Sequence, residues 1–353
     1  MIRVGLVGFG MSGRVFHAPL ISSVEGLELA AVVERNSNNG AERYPGITTY
    51  RTLDELLRDA SIKLVVVATP NSSHFATALQ VIEAAKSVVV EKPTALTSDE
   101  IAQLAGLAGG VGLHCIPFHN RRWDNDFRTI KKLLHERSLG RLVNFESYFD
   151  RWRPGLSARE WKEDPDEGGL LLDIGTHLVD QALALFGEPA AVGAEVLRER
   201  LGDGANDSFT VRLHYYTGFS VTLGANCLSS LARPRYHLRG AKGNFWKCGL
   251  DPQEEALNKI TRITDTNWGQ EPAANWGTLS VDVDGGMVTQ PVTTIAGDYR
   301  LYYEGVRDVL TGASETPPVT AVDAWRTAKV LEWAAQSSEQ HRDIECDWSG
   351  APA

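Results

Sequence analysis

The tripeptide Glu91-Lys92-Pro93 closes an apolar run, Ser87-Val88-Val89-Val90. An ammonium group at such a place can polarise a substrate oxygen and stabilise a developing alkoxide. Proline fixes its own φ and biases Lys92 toward extended geometry, so the amine is aimed rather than loosely tethered. A second reactive pair stands in Glu167-Gly168-Gly169-Leu170-Leu171-Leu172-Asp173-Ile174-Gly175-Thr176-His177. Asp173 and His177, at i and i+4, are neighbours on one face of a helix. A histidine beside a carboxylate is a candidate general base with its tautomer fixed. The same pair reads equally well as polar residues at the start of a capped helix. A metal reading finds one histidine and one carboxylate but no H-E-x-x-H pattern, so no metal is expected.

These groups need a rigid edge to stand on, and the first third of the chain supplies one. Apolar runs at 2–7, 27–33, 63–68, 87–91 and 111–116 alternate with helical patterns. That βαβ rhythm predicts a doubly wound parallel sheet, which binds ligands at the carboxyl ends of its strands. Thr52-Leu53-Asp54-Glu55 is a capping box, Ser72 or Ser73 can cap a helix to about 86, and Ser98 can cap another. Gly8-Phe9-Gly10-Met11-Ser12-Gly13 follows the first strand and fits G-x-G-x-x-G. The first glycine makes a tight turn, the second admits a pyrophosphate, and the third lets helix and strand pack closely. Glu34 stands 21 residues after Gly13, where an acid binds an adenosine ribose diol. Arg35 beside it either stacks on adenine, meets a 2′-phosphate or faces solvent. NAD is favoured over NADP on the strength of Glu34. Thr69-Pro70-Asn71, in the next βα loop, is expected against the cofactor with Glu91 and Lys92. His74 is either a cofactor contact or a partly exposed helix residue.

The pattern changes after about residue 121. A helix is expected over 124–136, with Gly140 near its cap. Strands with period-2 alternation follow. Over 141–150, Val143, Phe145 and Phe149 share one face. Phe209, Val211, Leu213 and Tyr215 form a second row, and Phe219, Val221, Leu223 and Ala225 a third. Such alternation indicates antiparallel strands with one buried face. A strand near 287–295 and helices near 299–310 and 321–336 complete the expected elements. The weakly patterned stretch 251–275 is expected to run over the surface. His119-Asn120-Arg121-Arg122-Trp123 marks the crossing between domains. His119, Asn120 and Arg121 suit contact with a hydroxyl-rich substrate, whereas Arg122 and Trp123 suit an interdomain hinge. Tyr148, Arg151, Trp152 and Arg153 either wall the pocket or pack a loop, with Tyr148 and Arg153 taken as substrate contacts. The organisation expected is a nucleotide-binding domain over 1–120 and a substrate-binding and oligomerisation domain over 121–353.

The net charge of −10 argues against a nucleic-acid partner. Cys115, Cys227, Cys248 and Cys346 are scattered without a C-x-x-C pair, which suggests a reducing cytoplasm. No apolar run reaches the ~18 residues of a membrane span, and the first strand leaves no room for a signal peptide.

Together these motifs resemble the Gfo/Idh/MocA family of NAD(P)-dependent sugar and polyol oxidoreductases. The resemblance covers essentially the whole chain. It rests on Gly8-x-Gly10-x-x-Gly13, Glu91-Lys92-Pro93 and Gly169-x-x-x-Asp173-x-Gly175-x-His177. It implies a Rossmann domain followed by an α+β domain with a large, mainly antiparallel sheet. It assigns Lys92, Asp173 and His177 as the catalytic set, with a Lys-Pro bond that is often cis. A homodimer or homotetramer through the C-terminal sheet is also implied. The stretches 118–127 and 237–254 resemble the branch containing NADP-dependent scyllo-inositol dehydrogenase. That branch carries a small polar residue where this chain has Glu34, so strict NADP use does not follow. Two other readings come from relatives of this fold: a non-catalytic NAD(P)-dependent regulator, and an NAD-dependent glycoside hydrolase.

Overall fold

A computed structural model describes residues 1–156, 163–165, 168–259, 263 and 267–352; Glu167 of the second motif lies outside them. Strands β1 (Ile2–Val7), β2 (Leu27–Val33), β3 (Thr48–Tyr50), β4 (Ile62–Val67), β5 (Ser87–Val90) and β6 (Cys115–Pro117) form a parallel sheet in the order β3-β2-β1-β4-β5-β6. Val65, Val66, Val88 and Val89 are fully buried, as strands covered on both faces require. Helices α1 (Ala18–Ser23), α2 (Asn39–Arg43), α3 (Leu53–Arg58), α4 (His74–Glu83) and α5 (Ser98–Gly110) connect them. The strand order reverses at β1, which opens a crevice at the carboxyl ends of β1 and β4.

The capping box of α3 is formed as expected, with Thr52 and Glu55 exchanging bonds. The other two caps are corrected. Helix α5 is capped by Thr97 in a second box with Glu100. Ser98 lies one residue inside, and its N–H and hydroxyl both donate to Glu332. A 3₁₀ turn over Asn71–Ser73 leads into α4, and Ser73 gives its hydroxyl to Thr69 Oγ1 and Pro70 O instead of capping. Strand β6 is shorter than expected because Val111 and Gly112 complete the turn after α5.

The second sheet has nine strands: β7 (Leu142–Tyr148), β8 (Ala191–Leu197), β9 (Ser208–His214), β10 (Ser220–Asn226), β11 (Tyr236–Gly240), β12 (Gly243–Lys247), β13 (Gly277–Val283), β14 (Gly286–Val292) and β15 (Ile344–Glu345). Their order is β14-β13-β12-β11-β7-β10-β9-β8-β15, and among the described residues only β7 and β10 pair in parallel. The helices are α6 (Asn125–His135), α7 (Thr176–Phe186), α8 (Gln253–Lys259), α9 (Arg300–Thr311) and α10 (Ala321–Gln340). The alternating rows are buried as read: Phe145, Phe149, Phe209, Val211, Leu213, Val221, Leu223 and Ala225 share one core with Leu178, Val179, Val330 and Leu331 of α7 and α10. Val143 departs from its row and is exposed, because alternation sets which side a residue takes but not how far the helices cover it.

Two late segments return to the first sheet. Tyr299, Tyr302, Tyr303 and Val306 pack with Val4, Leu6, Phe16 and Phe118. Leu257, Ile263 and Trp268 join the same core, so the described part of 251–275 is anchored rather than a surface excursion. A few apolar residues without period suffice when they meet an apolar surface already formed. Helix α10 bridges the two sheets, with Trp325 against Ala95 and Ile101.

Candidate active site

The glycine loop after β1 shows three different needs. Gly8 has φ +95°, and a Cβ there would stand 2.6 Å from Ala68 O. A Cβ on Gly13 would stand 2.2 Å from Gly8 O. A Cβ on Gly10 would meet nothing within 4 Å, so glycine there keeps open the floor of a cleft rather than a packing contact. That cleft, of about 800 Å³, is lined by Gly8, Phe9, Gly10, Glu34, Arg35, Thr69 and Pro70 among others. A neighbouring hollow of about 620 Å³ is lined by Met11, Arg14 and Arg43. A long trough with an open backbone at Gly10, an acid at one end and arginines beside it fits a dinucleotide.

Glu34 reaches this cleft, but both its oxygens are engaged. Oε1 accepts from Ser37 Oγ at 2.6 Å and Oε2 from the Gly40 N–H at 2.7 Å. The carboxylate therefore also organises the entry to α2. Arg51, which the sequence did not single out, clasps the same loop through Glu34 O at 2.9 Å and Asn38 Oδ1 at 2.7 Å.

Glu91 sits behind the glycine loop rather than in the cleft. It accepts from Ser12 Oγ and from His17 Nε2, and His17 Nδ1 meets Tyr303 Oη at 2.6 Å. Burial alone would raise the Glu91 carboxyl; the bonds and charge from His17, with Ser12 and Lys92, outweigh it and hold it at about 2. His74 is buried as well. Its ring spans from Pro93 O at 2.7 Å to Thr69 O at 2.9 Å, so it braces two loops at the sheet edge.

Lys92 and Pro93 are joined by a cis bond. The Lys92 ammonium donates to Asp173 Oδ1 at 2.6 Å and to Asp173 O at 2.8 Å. Asp173 stands in a π turn, Leu171–Gly175, that runs into α7. Its carboxylate thus meets Lys92, and no hydrogen bond ties it to His177. A charge-assisted bond to an ammonium is stronger than one to a neutral ring. His177 is buried, its Nδ1 has no partner, and its pKa is pushed well below the usual histidine range. Burial is the main cause, followed by the Lys92 and Arg121 cations and His119. The imidazole is therefore neutral, which is the form that accepts a proton.

A pocket of about 240 Å³ lies beside this group, walled by Asn71, Asp173, Arg151 and Arg153 with Arg200 and Asn206. Of the expected substrate contacts, Asp173 and Arg153 are in its wall. Asn120 and Arg121 are buried outside it; the Arg121 guanidinium meets Glu254 at 2.7 Å and Asp124 at 3.4 Å. His119 is buried, neither ring nitrogen has a hydrogen-bond partner, its Nδ1 stands 4.0 Å from Asp180 Oδ1, and it borders a separate cavity of about 230 Å³ with Thr94. Tyr148 takes the face of β7 opposite Phe145 and Phe149 and donates to Glu146 at 3.1 Å. Arg122 is ion-paired with Asp180 and Asp323, and Trp123 meets Tyr302 edge-on. Ser12, His17 and Tyr303 carried no sequence signal, because Ser12 and His17 meet Glu91, and Tyr303 meets His17, only across long stretches of chain.

Among the described residues, no group of three or more His, Cys, Asp or Glu side chains could hold a metal ion. Among the same residues, no helix is long and apolar enough to cross a membrane.

Residues 2–119 match the model of an oxidoreductase family with an NAD-binding Rossmann fold, and residues 131–346 match that family's C-terminal alpha/beta domain. The uncharacterised oxidoreductase YdgJ of Escherichia coli is 37% identical over 98% of each chain. The scyllo-inositol 2-dehydrogenase (NADP(+)) IolW of Bacillus subtilis is 33% identical over 97% of this chain and 95% of its own. The solved structure of yvaA from Bacillus subtilis superposes with a TM-score of 0.95 at 32% identity, covering 98% of both chains.

Proposed function

Because the chain belongs to the Gfo/Idh/MocA oxidoreductase family, we propose that it moves a hydride between NAD(P) and a secondary hydroxyl of a sugar or cyclic polyol. The observation that carries this reading is Lys92 held at 2.6 Å by Asp173, whose side chain walls the pocket, with the buried His177 and its lowered pKa four residues on. The similarity to IolW, a dehydrogenase of an inositol, supports the substrate class.

In oxidation, His177 accepts the hydroxyl proton; in reduction it returns it. Lys92 donates to the same oxygen and stabilises the alkoxide as it forms. Asp173 fixes the ammonium from the far side, so little reorientation is needed at the moment of reaction. Bound at the Gly8-to-Gly13 loop, the nicotinamide cofactor supplies the hydride acceptor or donor. Glu34 favours NAD, since its carboxylate opposes a 2′-phosphate even while bonded to Ser37 and Gly40. The active species is a homodimer or homotetramer built on the second sheet, whose strand β14 is exposed almost throughout. Its compartment is the cytoplasm, in keeping with four free cysteines.

A panel of inositols, aldoses and alditols, followed by the absorbance of reduced nicotinamide with NAD and with NADP, tests the reading. Turnover of at least one neutral or acidic polyol is expected. Release of an aglycone from nitrophenyl glycosides, without net cofactor reduction, would point to the glycoside hydrolase instead.

A further inference from the structure

Three arginines, Arg151, Arg153 and Arg200, line the 240 Å³ pocket with three carboxylates, Glu163, Asp173 and Asp207, but the ion pairs are unevenly shared. Lys92 is matched by Asp173 at 2.6 Å. Arg200 is matched twice, by Glu163 at 2.9 Å and Asp207 at 2.8 Å. Arg151 and Arg153 line the same pocket, yet their guanidinium groups make no hydrogen bond or ion pair with any described residue. Arg151 instead lies over the Phe149 ring at 4.7 Å, with Arg121 over the same ring at 5.1 Å.

The backbone aims both side chains at one place. Beyond β7, the Arg151 N–H donates to Asn226 O at 2.8 Å and the Arg153 N–H to Cys227 O at 2.7 Å, while Trp152 bridges Leu228. The segment is thus held extended, where residues two apart point the same way. Arg151 and Arg153 share the side of Phe149, and Trp152 takes the other and is exposed. Burial lowers the Arg151 pKa, and Arg153 and Arg121 lower it further, while Asp173 and Glu254 oppose them. Two neighbouring cations in a partly dry pocket cost free energy that a neutral polyol only partly offsets. A carboxylate or phosphate would offset it through bidentate, charge-assisted bonds.

We infer that the substrate carries an anionic group, a carboxylate or phosphate on the sugar or polyol, which Arg151 and Arg153 hold while Lys92 and His177 face the reacting hydroxyl. This rests on the dehydrogenase reading and narrows its substrate from polyols in general to acidic ones.

The test uses the full-length protein saturated with NAD, titrated calorimetrically with matched hexoses, hexuronates and hexose 6-phosphates of gluco, galacto and manno configuration. At least one acidic sugar is expected to bind about tenfold or more tightly than its neutral counterpart. The uronate and phosphate arms show which anion is preferred. Arg151→Gln and Arg153→Gln are expected to remove that preference, while Arg151→Lys keeps part of it. Should Arg151→Gln fail to fold, the more exposed Arg153→Gln still decides. Equal binding of acidic and neutral sugars, no binding by any of them, or acidic binding that survives both glutamine variants would overturn the proposal. Turnover assays on the same panel separate the two readings. Neutral polyols oxidised with no acidic preference would sink the anion subsite alone. Arginine-dependent binding of acids without any turnover would sink the dehydrogenase alone.

Discussion

His17 and Glu91 are hydrogen-bonded, Nε2 to Oε1 at 3.2 Å, and through this bond the helix after the glycine loop is tied to the strand end that carries Lys92. Ser12 donates to the same Glu91 oxygen, and Tyr303 of α9 closes the chain at His17. The cofactor loop, the lysine and a late helix are thus connected by one buried network. Glu91 is held at about 2 in the folded protein, below its ordinary value of 4.5. The unfolded chain therefore binds the proton more readily, and stability present above about pH 5 is lost as pH falls through 4.5 toward 2. The difference is on the order of 3 kcal/mol. Glu91→Gln should flatten this acid limb in urea melts taken between about pH 2 and 7. An unchanged limb would assign the acid sensitivity to other carboxylates.

Lys92→Ala should lower kcat by at least about a hundredfold, on the order of 3 kcal/mol, if the ammonium stabilises the alkoxide. Cofactor affinity should change far less, because the cleft proposed for the cofactor is lined by Gly8, Phe9, Gly10 and Glu34 and not by Lys92. Steady-state rates paired with cofactor titration check both halves. Near-normal turnover would remove Lys92 from the chemistry.

For His177 the sign follows from its lowered pKa. A base that stays neutral below the usual histidine range keeps kcat/KM for oxidation high through pH 6.5 and loses it only at lower pH. His177→Asn should abolish that limb together with most of the rate. A limb centred at or above 6.5 would contradict the buried setting, and a limb retained in the variant would assign the proton transfer elsewhere.

Glu34 has two tasks, and two variants separate them. Glu34→Gln removes the charge, keeps an oxygen to accept from the Gly40 N–H and turns an amide N–H toward Ser37 Oγ, which can accept it. It should shift preference toward NADP by at least about tenfold, ~1.4 kcal/mol, with little change in melting temperature. Glu34→Ser should shift preference likewise but also destabilise the loop before α2, since it loses the bond to Gly40. Calorimetric titration of both cofactors, alongside thermal melts, reads the two effects apart. Wild type binding NADP tenfold more tightly than NAD would show that the carboxylate does not oppose the 2′-phosphate.

The sequence by itself determined the features that depend on neighbours along the chain. The three glycines of the loop, the capping box at Thr52 and Glu55, and the alternating rows at 209–213 and 221–225 are local constraints on φ, helix ends and strand faces. Each was readable because a turn, a cap or a strand needs particular residues at fixed short spacing. The motif residues Lys92, Asp173 and His177 were legible as types, but their pairing was not. Spacing suggested Asp173 with His177, four residues on; the fold gives Asp173 to Lys92, 81 residues away. Tertiary structure alone also decided that His17 meets both Glu91 and Tyr303, that α9 and Trp268 pack under the first sheet, and that Arg151 and Arg153 have no ion-pair partner among the described residues while Arg121 and Arg200 do. Periodicity reports which side of an element is buried and says nothing of what covers it. Ion pairing follows distance and desolvation, which exist only once distant segments have converged.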